Sequence, residues 1–157
     1  MCIRDSPNFR AMQQEAWKSR AEGDLRVLRL AIESYYRNQG CYPEEDPAGS
    51  DTYQDTLIGV QPRILTEKAY DPFRAGQVEY VYRLSLDSTE VGYPDNARYY
   101  VLYSYGFDGQ RDIKDGTNAS GNGPFALPPN DNAQVQDEAN RNDDIIVTNG
   151  IKPPGYE

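Results

Sequence analysis

From Pro7 to Gln39 the chain contains no proline after its first residue. Apolar residues recur along this stretch at Leu25, Leu28, Ile32 and Tyr35, with Met12, Ala16 and Ala21 continuing the stripe upstream. Steps of three and four residues place side chains on one helical face, so the spacing predicts a single helix over 7–39. Pro7 suits its first turn, where a missing N–H costs nothing, and Ser6 stands where an N-cap would. Gly40 is a natural C-terminal stop, and Pro43 blocks resumption. A helix of about 32 residues is ~48 Å long. A domain this small cannot cover such a rod. The expectation is that Phe9 to Arg20 projects while Leu25 to Tyr36 packs on the rest of the chain.

The 157 residues suffice for one domain. Hydrophobic residues make up only 38%, so much of the core must be built from the 13 tyrosines. Tyrosine suits such half-buried sites, ring packed and hydroxyl wet. The net charge of −9 is unevenly spread: 7–39 is mildly basic, whereas 40–157 is strongly acidic. An acidic body lacks the clustered Lys/Arg that phosphate attraction needs, which argues against nucleic acid as a partner. The chain has no histidine. That removes the commonest general base and the Ser-His and Cys-His nucleophile pairs. No nucleophile motif or marked carboxylate pair stands out, and the chain reads as a non-enzyme. The two cysteines, Cys2 and Cys41, form no CxxC or zinc pattern. One straight helix between them disfavours a Cys2–Cys41 disulfide by holding them apart.

Residues 1–6 (Met-Cys-Ile-Arg-Asp-Ser) read as a non-native scar, resembling translated read-through at the edge of a gene fragment. No run of 18 apolar residues is present to span a membrane. After the helix, 40–75 reads as a loop-rich connector with apolar patches at Leu57–Val60 and Ile64–Leu65 and a turn at Asp71-Pro72. Two strands follow, Val78–Leu84 and Arg98–Tyr105, with turn chemistry at Gly92–Asn96, most simply an antiparallel pair. From Gly106 to Asn142 the sequence is Gly-, Asn-, Asp- and Pro-rich, and no regular structure is expected. Ile145-Ile146-Val147 is a candidate short strand, and Lys152–Glu157 a loose end. The fold class is α+β: a long N-terminal helix on a small antiparallel sheet, with a long loop-rich C-terminal region.

The informative chemistry is Tyr105-Gly106-Phe107-Asp108-Gly109-Gln110, followed downstream by Asn142-Asp143-Asp144-Ile145. Carboxylates and exposed carbonyls in a glycine-flanked loop are a ligand set that Ca²⁺ prefers. Asp112 and Asp115 add negative charge nearby. The spacing is not that of an EF-hand. The plain alternative is that Asp, Asn and Gly are simply what loops are made of. Asn118-Ala119-Ser120 is a formal glycosylation sequon that in such a loop more often means nothing.

Several of these pieces together resemble a family. Pro7-Asn8-Phe9, Ala21-Glu22-Gly23-Asp24-Leu25 and Leu28 to Tyr36 resemble the N-terminal helix of bacterial type IV pilin-like proteins. Gly40-Cys41-Tyr42-Pro43 is similar to the Gly-x-Tyr-Pro that follows this helix in the major pseudopilins of type II secretion. Asp71-Pro72-Phe73, Tyr80-Val81-Tyr82, Ser104 to Gly109 and Asp143-Asp144-Ile145 resemble further elements of that family, in the family's order.

The resemblance implies a structural subunit of a type II secretion pseudopilus, assembling with itself into a helical filament and with other pseudopilins and the secretion inner-membrane platform. It implies a cleaved leader and about twenty apolar residues before Pro7, anchoring the subunit in the inner membrane with a periplasmic head. On this reading the present chain is an N-terminally truncated piece: helix over 7–39, head over 40–157. It also implies calcium, held by the carbonyls of Tyr105 and Gln110 and the carboxylates of Asp108, Asp143 and Asp144. The chain departs from the family by an insertion at about 114–140, which leaves Asp112 and Asp115 as alternative carboxylates. Two other readings stand beside it: a type IV pilin of a surface fibre for adhesion or motility, and a soluble periplasmic ligand-binding domain.

Overall fold

A computed structural model describes residues 7–45, 52–85, 91–107 and 145–149. Helix α1 spans Pro7–Gln39, 33 residues and so about 50 Å. It stops where the sequence requires. Gly40 takes a φ of 81°, and its N–H donates to the Tyr36 carbonyl at 2.8 Å. That left-handed turn is cheap only for glycine.

A short second helix, α2 (Tyr53–Gly59), follows. The sequence reading of a loop-rich connector over 40–75 included no helix here. The missed signal was Thr52-x-x-Asp55, the spacing of a capping box. Both the Thr52 N–H and its hydroxyl donate to Asp55 Oδ2, at 2.9 and 3.1 Å. Leu57, in the expected apolar patch, is fully buried within α2.

Strands β1 (Val81–Leu84), β2 (Tyr100–Ser104) and β3 (Ile145–Thr148) form one antiparallel sheet in the order β1-β2-β3. The expected antiparallel pair is present, with Val81 opposite Tyr103 and Leu84 opposite Tyr100. Both strands are shorter than their sequence signals, and among the described residues an isolated Tyr70–Glu79 bridge precedes β1. The apolar run at 145–147 is a strand, pairing Ser104 with Ile145 and Val101 with Thr148. Every residue of β2 is buried, which suits a central strand covered on both faces.

Strand alternation sorts the core into two faces. Tyr82, Leu84, Tyr100 and Leu102 face Ala21, Leu25, Leu28, Ala31 and Ile32 of α1 and Leu57 of α2. Val101, Tyr103 and Ile146 form a separate cluster on the other face. Two tyrosine hydroxyls fix the helix on the sheet. Tyr80 donates to Asp24 Oδ2 at 2.9 Å, and Tyr100 to Glu33 Oε1 at 3.1 Å.

The division of the helix follows the expectation except at Trp17, which lies in the stretch expected to project but packs edge-on against Phe73 at 5.9 Å. Asn8 to Trp17 are all exposed, and Ala21 is the first buried described side chain. One part of the stripe does not follow. Met12 is 71% exposed and Ala16 is exposed, so they do not extend the buried face. Four- and five-residue gaps from Met12 to Ala16 to Ala21 carry the stripe around the helix, away from the face that Ala21 shares with Leu25 and Leu28.

Candidate functional site

The site singled out by the sequence begins where β2 ends. Of its five expected calcium ligands, Tyr105 is described; Asp108, Gln110, Asp143 and Asp144 lie outside the described residues, as do Asp112, Asp115 and the sequon. The described flanks do converge. Ser104 and Ile145 are register partners on adjacent strands, so Tyr105 and Asp144 are each the next residue in sequence from one paired position. Gly106 turns the chain with a φ of 70°. The exit of β2 and the entry of β3 therefore lie at the same end of the sheet. If calcium binds as the resemblance implies, the Tyr105 carbonyl together with Asp108, Gln110, Asp143 and Asp144, which lie outside the described residues, would hold it, and the ion would neutralise their charge. Among the described residues no group of three or more His, Cys, Asp or Glu is placed to hold a metal.

What organises this end of the sheet is Asp71, whose role the sequence did not reveal. It is 3% exposed. Its Oδ1 accepts from the Ser104 hydroxyl at 2.8 Å and from the Phe73 N–H at 3.0 Å; its Oδ2 accepts from the Tyr105 N–H at 3.1 Å. A buried carboxylate is tolerated when donors surround it. The turn at Asp71-Pro72 is therefore also a tether, binding 71–74 to the exit of β2. The only sequence clue was an Asp before Pro in a turn, which reads equally well as an ordinary exposed turn residue.

The tether places aromatic groups in order. Phe73 meets Phe107 edge-on, with ring centroids 5.2 Å apart, and meets Trp17 of α1 edge-on at 5.9 Å. The Arg74 guanidinium lies 4.3 Å from the Tyr105 ring centroid, and Tyr105 stacks on Tyr103. The base of the projecting half-helix and the start of the candidate loop thus share one packed cluster.

A second polar cluster holds α2. Lys68 Nζ lies 2.7 Å from Asp55 Oδ2 and 3.0 Å from Glu79 Oε1, and the Thr52 hydroxyl, whose single proton Asp55 and Glu79 share, lies 3.0 Å from Glu79 Oε1. The hydrogen bond from Lys68 lowers the Asp55 pKa, and Asp55 in turn raises that of Lys68. Both groups stay charged, so neither serves as a proton carrier near neutral pH. Gln54, fully buried beside them, is satisfied by the Ala69 N–H and carbonyl at 2.8 and 2.9 Å. These contacts are structural.

Cys41 carries a free, half-buried thiol whose pKa is pushed up by burial and by the Asp95 carboxylate. A raised thiol pKa opposes nucleophilic use. Cys2 lies outside the described residues. Among the described residues no helix is long and apolar enough to cross a membrane. No family model, curated protein or solved structure matches this chain.

Proposed function

We propose that this chain is a structural subunit of a pilin-like filament, most similar to a major pseudopilin of type II secretion, with no catalytic role. One observation carries the reading. A 33-residue helix is packed by its own head only from about Trp17 onward, and its first nine described side chains, Asn8 to Ala16, are exposed. Leaving such a rod unburied gains nothing for a lone domain, because helix stability in proteins comes mainly from tertiary packing. Neighbouring subunits would supply that packing. The α+β arrangement of helix on a small antiparallel sheet is consistent with the reading, as is the acidic head. In the proposed assembly the helices bundle at the filament centre, the heads lie outside, and calcium orders the loop leaving β2.

The source gene upstream of Pro7 tests this. About twenty apolar residues, the length that crosses a bilayer, are expected directly before Pro7. Expression of that complete gene with its secretion or pilus partners should give filaments by electron microscopy. A cleavable signal peptide in that position, with a monodisperse product, removes the filament reading and favours the soluble binding domain.

A further inference from the structure

Five tyrosines stand in one row through the core. Ring centroids are 4.5 Å apart from Tyr36 to Tyr42, 5.3 Å from Tyr42 to Tyr100, 6.4 Å from Tyr100 to Tyr82 and 4.7 Å from Tyr82 to Tyr53. The row opens to solvent at Tyr36, which is 42% exposed; the other four rings are buried.

Ring packing by itself accounts for these contacts. The hydroxyls distinguish the members. Those of Tyr82 and Tyr53 donate to the Pro43 and Tyr80 carbonyls at 3.0 Å each. An amide carbonyl does not take up a proton at neutral pH. The Tyr42 hydroxyl accepts from Asn149 Nδ2 at 3.0 Å. Tyr100 is the member of the row that donates to a carboxylate, Glu33 Oε1, at 3.1 Å. Arg29 donates to the same oxygen at 3.0 Å and lowers the Glu33 pKa, so Glu33 is ionised at neutral pH. The Glu33 side chain is part-exposed, and a proton placed on it exchanges with water.

A phenol that loses an electron becomes a strong acid. Its oxidation is fast where an acceptor within hydrogen-bond reach takes the proton at the same time. We infer that Tyr100 is a one-electron oxidation site, served from the surface by Tyr36. The co-reactant is an outer-sphere one-electron oxidant, such as an oxidised metal complex, too large to enter the core. It takes one electron from Tyr36, whose phenolic proton goes to water. An electron then passes from Tyr100 through the Tyr42 ring to the Tyr36 radical, which recovers a proton from water. The Tyr100 proton crosses to Glu33 as its electron leaves. The net change is one electron to the oxidant, one proton to water by way of Glu33, and a neutral tyrosyl radical on Tyr100. Tyr82 and Tyr53, lying beyond it without a proton acceptor, do not carry the radical further. An uncharged radical incurs no charge-burial cost in the core. Exposed tyrosyl radicals disappear by coupling in pairs; a fully buried ring cannot meet a second one, so the Tyr100 radical persists. The assignment rests on neither the filament nor calcium.

Flash photolysis of the chain with a ruthenium polypyridyl complex and a cobalt(III) electron acceptor, followed by freezing and electron paramagnetic resonance, tests it. The expected result is a tyrosyl signal that outlasts that of free tyrosine treated alike. Tyr100→Phe should abolish the long-lived signal. Tyr42→Phe and Glu33→Gln leave the Tyr100 phenol in place, and each should lower the yield. Glutamine keeps a hydrogen-bond acceptor but cannot take the proton, which separates proton transfer from mere packing. Tyr80→Phe is the control: that phenol also meets a carboxylate, Asp24 at 2.9 Å, but outside these ring contacts, and the signal should remain. Circular dichroism checks that each variant is folded. The proposal is overturned by a folded chain with no persistent signal, by a persistent signal retained in Tyr100→Phe, or by a yield indifferent to both Tyr42→Phe and Glu33→Gln.

Discussion

The Ser104 hydroxyl, at the last residue of β2, donates to the buried Asp71 carboxylate across 2.8 Å, joining a turn and a strand end that are 33 residues apart in sequence. Asp71 also receives the Phe73 and Tyr105 N–H groups. Replacing it with alanine leaves two backbone donors and a hydroxyl to find other partners. Unsatisfied buried groups cost about 1–3 kcal/mol each, and water entering the space lowers the total. Asp71→Ala is expected to lose about 2–4 kcal/mol in urea unfolding. Asp71→Asn, which keeps one acceptor, should lose less. Equal stability of Asp71→Ala and the parent would show that the tether is unimportant.

The two faces of α1 should respond differently to truncation. Leu28 is fully buried against the sheet, whereas Leu30 is 67% exposed. Leu28→Ala should cost about 2–5 kcal/mol through lost burial and a cavity. Leu30→Ala, in the monomer at low concentration, should change stability by less than about 0.5 kcal/mol. Paired denaturation curves in dilute solution read the contrast directly.

Acid should loosen the helix–sheet joint. The Glu33 pKa is lowered chiefly by its hydrogen bond from Arg29, with a further contribution from the Tyr100 hydroxyl, and that of Asp55 chiefly by Lys68. Carboxyl groups with depressed folded pKa values add stability that is present above their unfolded values, about 4, and is lost as pH falls through the folded ones. Both are partly solvated, so each effect is small. The fall in melting temperature between pH 5 and about pH 3 should be shallower in the Glu33→Gln, Asp55→Asn double variant. An identical acid limb in variant and parent would refute this assignment.

Alkali should act through the tyrosines. Burial raises the pKa of Tyr53, Tyr80, Tyr82 and Tyr100, with Asp24 and Glu33 adding to the effect at Tyr80 and Tyr100. Groups raised in the folded state contribute stability that is complete below their unfolded pKa, about 10, and is lost as pH climbs toward the folded values. Ultraviolet titration should therefore show exposed tyrosines ionising first. The buried group should follow in one step that coincides with loss of the circular dichroism signal. A single smooth titration of all tyrosines near pH 10 would contradict this.

Calcium is expected to raise the melting temperature of the head, and chelation or Asp108→Ala to abolish the increase. Identical melting curves with and without the ion would count against the loop as a calcium site.

The sequence by itself determined the rod. Proline-free length, a 3–4 apolar repeat and a Gly40 stop are local properties, and local geometry decides where a helix begins, ends and turns its apolar side. The same holds for the alternating, aromatic-rich strands. Met12 and Ala16 were misread because an apolar residue on a helix does not state which partner it faces. Only the position of the sheet, set by Leu25, Leu28 and Ile32 together, divides the inner stripe from the outer one. The tertiary structure alone decided the role of Asp71 and the grouping of Trp17, Phe73 and Phe107, because those contacts join residues distant in sequence. A carboxylate beside a proline looks the same on paper whether it faces water or closes three buried hydrogen bonds, and burial, which no spacing encodes, makes the difference.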